Sequence, residues 1–154
     1  MEQTVELNAH NKQEYPPMHT VEHILNQAMI RLFGCPRSLN THIERKKSKC
    51  DYVLSAAPTD AQIAEIEAEV NRVIESDLPV TESFMSRADA AAVVDLRKLP
   101  ESVSQTLRII QVGDYDICAC IGSHVSCTSE IPGRFKIISS DYHSPTWRIR
   151  FRLE

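Results

Sequence analysis

Apolar residues recur along the chain with two periods, and these periods predict its helices and strands. From Met18 to Phe33 the apolar spacing is that of a helix, and the core positions are Val21, Ile24, Leu25, Ala28 and Leu32. Gly34 and Pro36 predict where this helix ends. His19 and His23 lie nearly opposite the core positions, on a face that continues through Asn26 and Ile30. Because that face also carries apolar residues, we expect the helix to be covered on both sides, with its histidines in a cleft.

Shorter alternating stretches predict strands at residues 38–45, 50–56, 79–84, 107–112, 116–120, 135–140 and 147–153. Thr59 and Gln62 fit the capping-box pattern that opens a helix, which we expect to end at Leu78, and an Ala-rich segment predicts a short helix over 86–94. The order of elements indicates an α+β fold, a largely antiparallel sheet with helices packed on one face. We expect an irregular lead-in over 1–15 and a single domain over 16–154.

Composition and charge exclude several classes of protein. The chain has 154 residues, of which 42% are hydrophobic and 25% are charged, so it is long enough for a core and is not of the disordered type. No apolar run is long enough to cross a bilayer, and residues 1–15 do not resemble a signal peptide. We therefore expect a cytoplasmic protein without a membrane partner. The net charge of −4 gives no global attraction to DNA or RNA, and the oligomeric state is left open.

Two pairs of residues with metal-binding side chains stand far apart in the chain. His19 and His23 have the i, i+4 spacing that places both imidazoles on one helix face. Cys120 and His124 add a thiolate and a third imidazole, which are ligands that suit zinc. Each pair alone is weak evidence, but together they predict one Zn²⁺ site.

Two other interpretations of these residues are open. A local zinc site could use Cys118, Cys120, His124 and Cys127, although we expect Cys118 to face away from Cys120. His19 to His23 also fits the H-x-x-E-H pattern of a metallopeptidase, in which Glu22 would activate the zinc-bound water. Such an enzyme would need a carboxylate ligand downstream.

Each pair of metal-binding residues lies in a longer motif. The first motif is His19-Thr20-Val21-Glu22-His23-Ile24-Leu25. The second is Cys120-Ile121-Gly122-Ser123-His124-Val125, followed by Ser126-Cys127-Thr128-Ser129-Glu130-Ile131. In this order, the two motifs resemble those of the editing domain shared by alanyl- and threonyl-tRNA synthetases and of the free-standing AlaX proteins. Ile121 and Ser123 stand where alanine-type members usually have a glycine and a threonine.

The resemblance implies a zinc-dependent deacylase that removes a wrong amino acid from tRNA in trans, most simply from Ser- or Gly-tRNA(Ala). The implied zinc ligands are His19, His23, Cys120 and His124, and the implied substrate contacts are Thr20, Gly122 and Ser123. Glu22 is a candidate to position water. Basic residues that could meet tRNA phosphates are Arg45, Lys46, Lys47, Lys49, Arg148, Arg150 and Arg152. A non-catalytic, zinc-stabilised module that binds RNA or protein is the alternative.

Overall fold

The computed structural model describes residues 15–94 and 106–154, so the predicted lead-in over 1–15 lies outside it except for Tyr15. The helices are α1 (Pro16–Phe33), α2 (Asp60–Glu75), the short α3 (Arg87–Ala90) and a 3₁₀ turn at Thr128–Glu130. The strands are β1 (Asn40–His42), β2 (Ser48–Val53), β3 (Val80–Ser86), β4 (Thr106–Val112), β5 (Asp116–Ala119), β6 (Phe135–His143) and β7 (Thr146–Leu153). No helix of the described segments is both long and apolar enough to cross a membrane.

All strand pairing among the named strands is antiparallel, which confirms the predicted α+β class. The strands form two sheets rather than one: a four-stranded sheet in the order β1-β2-β7-β6 and a three-stranded sheet in the order β3-β4-β5. The four-stranded sheet depends on pairing β2 with the last strand, for example Cys50 with Ile149. Local alternation of residues predicts strands but not such distant partners.

Helix α1 is covered on both sides, as predicted. Pro16 occupies its start, where a missing N–H costs no hydrogen bond. Gly34 ends it in the left-handed conformation and donates its N–H to the carbonyl of Ile30 at 2.8 Å. The predicted core positions Val21, Ile24, Leu25 and Ala28 are fully buried. On the other face Thr20, His23 and Asn26 are buried as well.

Helix α2 begins with the predicted capping box, in which Thr59 and Gln62 each bond the other's backbone N–H. It ends at Glu75, before the predicted end, because Asp77 takes a left-handed conformation. Asn71 ties α2 to the four-stranded sheet: its amide accepts from the N–H of Phe135 at 2.8 Å and donates to the carbonyl of Phe135 at 3.0 Å.

Two predicted elements are shorter in the structure. Strand β1 has only three residues, because side chains bind the backbone beyond both of its ends. Beyond one end, the hydroxyl of Ser48 accepts from the N–H of Glu44 and donates to the carbonyl of Glu44. Beyond the other end, the N–H of Ser38 donates to the side-chain oxygen of Asn26. The predicted helix over 86–94 is helical only from Arg87 to Ala90 and continues as a turn.

Candidate metal centre

Helix α1, strand β5 and the loop that follows β5 bring the two motifs together. The ligand atoms of His23, Cys120 and His124 all lie within 4.8 Å of one another, and they are the group of potential metal ligands found in the described part of the chain. Cys120 Sγ and His124 Nε2 are 3.4 Å apart. The rings of His23 and His124 are perpendicular, with their centroids 4.6 Å apart. The predicted convergence of the distant motifs is therefore present in the fold.

His19 stands beside this group but outside its tight core. Its ring centroid is 6.0 Å from that of His124. It is still close enough to act on His124 electrostatically. The structure thus brings three of the four predicted ligands into mutual contact and leaves the fourth adjacent to them.

Asp116, at the start of β5, holds His23 from behind. Its carboxylate is fully buried and lies 3.3 Å from His23 Nδ1. The same carboxylate accepts a hydrogen bond from Gln27 at 2.8 Å and another from Arg37. When a carboxylate accepts from Nδ1–H, the lone pair of Nε2 is left for a metal and the ring orientation is fixed. Asp116 therefore points the free nitrogen of His23 toward Cys120 and His124.

The two histidines of the group have pKa values shifted in opposite directions. Burial alone would lower the pKa of His23, but its hydrogen bonds to Asp116 and Cys120 raise it well above the ordinary value. Burial, together with the charges of His23 and His19, lowers the pKa of His124 to about 2. His124 is therefore neutral and ready to donate a lone pair, whereas a metal ion would have to displace a proton from His23.

Thr20 links helix α1 to the second motif. Its side chain is fully buried, and its hydroxyl lies 3.1 Å from His124 Nδ1 and 3.2 Å from the carbonyl of Pro16. It also accepts a hydrogen bond from the N–H of Val125 at 3.3 Å. The hydroxyl is therefore fully used in orienting His124 and the loop. The predicted role of Thr20 as a substrate contact stays a prediction.

Arg108 on β4 braces the loop of the second motif. Its Nη1 donates to the carbonyl of Cys120 at 2.9 Å and to the carbonyl of Gly122 at 2.7 Å, while its Nε bonds Glu82. Gly122 is buried in this loop and Ser123 is exposed. Gly122 therefore contributes its backbone to the shape of the site, and the predicted substrate contacts of Gly122 and Ser123 stay predictions.

The neighbouring cysteines have separate environments. The expectation that Cys118 faces away from Cys120 does not follow from strand alternation, which places residues two apart on one face; Cys118 lies in β5, Cys120 follows the end of β5 at Ala119, and both thiols act electrostatically on His23. Cys127 lies elsewhere, 3.2 Å from the hydroxyl of Ser129 and beside Asp77. The alternative four-residue site from Cys118 to Cys127 is therefore not assembled in the described residues.

Glu22 is half-buried and lies outside the ligand group. Its charge acts on Arg37, Cys50 and Tyr52. The ligand group of the described residues holds a thiol and no carboxylate, which does not fit the metallopeptidase interpretation. The predicted water-positioning role of Glu22 stays a prediction.

The basic residues fall into two sets with different surroundings. On the hairpin between β1 and β2, Lys46, Lys47 and Lys49 line an open pocket of about 420 Å³ together with Arg150. Arg45 stacks 4.3 Å above the ring of Tyr15, the residue that precedes α1. The hairpin cations are therefore exposed near the helix end that carries His19.

The arginines of β7 are each paired with an acid. Arg148 makes two hydrogen bonds to Asp51, at 2.7 and 2.9 Å. Arg150 lies 3.0 Å from Asp141, and Arg152 lies 2.7 Å from Glu154. This pairing reduces the positive charge that the stripe offers to a phosphate.

Sequence reasoning missed the residues that support the site, namely Asp116, Gln27, Arg37 and Arg108. One of them carries a visible signal, because Asp116 is a charged residue at the start of a strand that is otherwise apolar. A buried charge needs a partner, so Asp116 marks a place where the fold must supply one.

Comparisons with known proteins give a consistent result. Residues 107–149 match the family model described as the second additional domain of threonyl and alanyl tRNA synthetases. The chain is 31% identical over 135 residues to the alanyl-tRNA editing protein AlaX-L of Pyrococcus horikoshii, an alignment that covers 87% of this chain and 32% of that protein.

Two longer relatives match nearly as much of the chain. It is 32% identical over 134 residues to the alanine–tRNA ligase of Exiguobacterium sibiricum, covering 86% of this chain and 15% of the ligase. It is 30% identical over 138 residues to the alanine–tRNA ligase of Methanococcus maripaludis, an alignment that covers 88% of this chain and 15% of that ligase. The chain thus spans about a third or less of the length of these curated relatives. The expected resemblance is confirmed: residues 107–149 match a domain of threonyl and alanyl tRNA synthetases, and most of the chain is similar in sequence to an alanyl-tRNA editing protein.

Proposed function

We propose that this protein is a zinc-dependent hydrolase that deacylates mischarged tRNA in trans, in the cytoplasm, with Ser- or Gly-tRNA(Ala) as its substrate. The observation that carries the proposal is the assembly of His23, Cys120 and His124 from two distant motifs in a chain related to an editing protein.

The donor set fits zinc. Two imidazoles and one thiolate are the ligand types of zinc sites, and a catalytic site normally has three protein ligands and one open position. The close group of His23, Cys120 and His124 supplies these three ligands. His19, farther from His124, is then a fourth ligand that binds more loosely and can give way to water or substrate. Such an arrangement would leave a position for water or substrate, which four equally tight ligands would close.

The reaction needs little beyond position and charge. Water adds to the carbonyl carbon of the aminoacyl ester, the bond to the ribose oxygen breaks, and that oxygen takes a proton; the products are a free amino acid and tRNA. A bound zinc ion would supply Lewis-acid polarisation in this site. The chain itself holds the groups in place: Asp116 orients His23, Thr20 orients His124, and Arg108 fixes the loop that carries Cys120.

The substrate contacts remain those predicted from the sequence. Gly122 and Ser123 would lie near the amino acid, with the exposed Ser123 able to meet a serine hydroxyl. Thr20 would have to exchange one of its bonds to Pro16, His124 or Val125 in order to contact the substrate. Glu22 is the proposed group that positions water. A site that hydrogen-bonds a substrate hydroxyl rejects analogues without it far better than an apolar pocket does.

For the tRNA, the exposed hairpin cations are the better candidates. Lys46, Lys47 and Lys49 share an open pocket, and the hairpin is tied to the start of α1 by the stacking of Arg45 on Tyr15. The arginines of β7, which are already paired with acids, would contribute less.

The test is a deacylation panel with purified, zinc-loaded protein and tRNA(Ala) charged with serine, glycine or alanine. We expect release of serine or glycine above the uncatalysed rate and slower release of alanine. Absence of hydrolysis on all three, by a protein that binds zinc, would refute the proposal and favour the non-catalytic module.

A further inference from the structure

An exposed aromatic side chain on the three-stranded sheet that leads to the ligand loop has no role in the proposed chemistry. Phe84 on β3 is 63% exposed, and Ile121 in the loop of the second motif is 65% exposed. They are the two most exposed large apolar side chains in the described segments. Exposed apolar surface beside a site is a common mark of a binding surface.

The strand register connects Phe84 to the ligand loop. Phe84 lies directly opposite Arg108, and such cross-strand partners share one face of the sheet. From that face Arg108 bonds the carbonyls of Cys120 and Gly122, on either side of Ile121. A row of side chains thus leads from the edge strand β3 to the ligand loop: Phe84, the alkyl part of Arg108, and Ile121. We refer to these three residues as the Phe84 shelf.

The chemistry of the shelf favours a flat, uncharged ligand. Arg108 is committed to Glu82 and to two carbonyls, so it is not a free anchor for phosphate. The ring of Phe84 and the alkyl group of Ile121 offer apolar surface, and an aromatic ring is a platform for a nucleobase of any identity. A second protein surface would be the other common occupant of such a patch.

We propose that the Phe84 shelf stacks the unpaired terminal base of the RNA whose ester lies at the metal centre. This inference rests on the proposed function, because the aminoacyl ester is carried by the ribose of that terminal nucleotide. With the ester at His23, Cys120 and His124, the attached base must lie within a nucleotide's length of them. The shelf is the exposed aromatic surface that the described fold places there.

The experiment measures binding of an acceptor-stem RNA hairpin with an unpaired 3′ end, with and without its terminal nucleotide. Phe84→Ala should raise the Kd for the intact RNA by roughly tenfold, within the range measured for base–aromatic stacking. It should not change the Kd for the truncated RNA. Phe84→Tyr should bind like the wild type. Ile138→Ala, which removes an apolar side chain that is 40% exposed on β6, is the matched control and should have no effect.

Three results would contradict the proposed role of the Phe84 shelf. The Kd for the intact RNA could be equal for Phe84→Ala and the wild type, Phe84→Ala could weaken binding of the intact and the truncated RNA equally, or the wild type could fail to bind the intact RNA. A change in oligomeric state of Phe84→Ala on gel filtration, with unchanged RNA binding, would assign the patch to a protein contact instead. If Phe84 binds the terminal base but the protein hydrolyses no charged tRNA, the proposed deacylation is refuted and the base-binding role of Phe84 stands. If the protein hydrolyses charged tRNA and Phe84→Ala leaves KM unchanged, the base-binding role of Phe84 is refuted and the deacylation stands.

Discussion

Asp116 acts on the candidate metal centre through His23. Its buried carboxylate holds Nδ1 of that ring and is itself held by Gln27 and Arg37. Outer partners of this kind fix the ring orientation and raise the basicity of the ligand. At the scale of single residues, the candidate site therefore depends on groups that are not themselves candidate ligands.

We expect Asp116→Asn to weaken zinc binding about 10- to 100-fold, because the amide cannot replace the carboxylate as an acceptor of equal strength. Competition against a chromogenic chelator measures the affinity. Asp114→Asn, an exposed change two residues away, is the control and should bind zinc like the wild type. Equal affinities of the two variants would show that Asp116 does not position His23.

Asp51 gives a second prediction at this scale, for the pH dependence of stability. Hydrogen bonds from Arg148 hold the pKa of Asp51 below its ordinary value. A carboxyl with a lowered folded-state pKa stabilises the protein above its unfolded pKa, and that stability is lost as the pH falls through the folded value. The difference in unfolding free energy between wild type and Asp51→Asn should therefore be constant near neutral pH and shrink below about pH 4.

Urea denaturation at a series of pH values measures this difference. Asp141→Asn removes the exposed partner of Arg150 and should cost only about 0–1 kcal/mol. A difference for Asp51→Asn that stays the same from neutral pH to pH 3 would contradict the prediction.

At the scale of elements, Asn71 joins α2 to the four-stranded sheet. Its amide satisfies both backbone groups of Phe135, and all of these atoms are buried. Asn71→Ala leaves a buried donor and a buried acceptor without a partner, so we expect the free energy of unfolding to fall by about 2–4 kcal/mol. Glu65→Ala, on the exposed side of the same helix, should change it by less than about 0.5 kcal/mol. Chemical denaturation of both variants checks this, and a loss for Asn71→Ala no larger than that for Glu65→Ala would contradict it.

Much of each element was predictable because it follows from nearby residues. The apolar spacing predicted the buried face of α1, and Thr59 with Gln62 predicted the start of α2. The pairing of β2 with β7 and the split into two sheets were not predictable, because they depend on contacts between residues far apart in the chain. The ends of β1 were missed for a different reason: side chains of Ser48 and Asn26 take backbone bonds that a longer strand would use.

For the candidate site, the ligand types were predictable and their support was not. His23, Cys120 and His124 stood out by residue type and spacing. Asp116 became recognisable only when the fold placed its carboxylate against His23, 93 positions away. The distinction between a close group of three ligands and a more distant His19 likewise depends on how the fold arranges residues far apart in the chain.

At the scale of the whole molecule, a zinc ion held by His23, Cys120 and His124 would join α1 to the loop after β5, so zinc binding should stabilise the fold. Free zinc at one hundred times its Kd should add about 2.7 kcal/mol to the free energy of unfolding. Cys120→Ser should remove most of this increment, whereas Cys127→Ser, whose thiol lies outside the ligand group, should keep it. Thermal or urea unfolding with and without zinc measures the increment. An equal loss in both variants would contradict the site of His23, Cys120 and His124.

The central claim is that zinc held by these residues is required for ester hydrolysis on mischarged tRNA. Its most direct test is the rate of serine release from Ser-tRNA(Ala) as metal-free protein is titrated with zinc. We expect the rate to rise from background in proportion to bound zinc and to level off at one equivalent, with His23→Ala remaining near background. A rate that is the same without zinc, or unchanged in a His23→Ala variant that has lost its metal, would contradict the account.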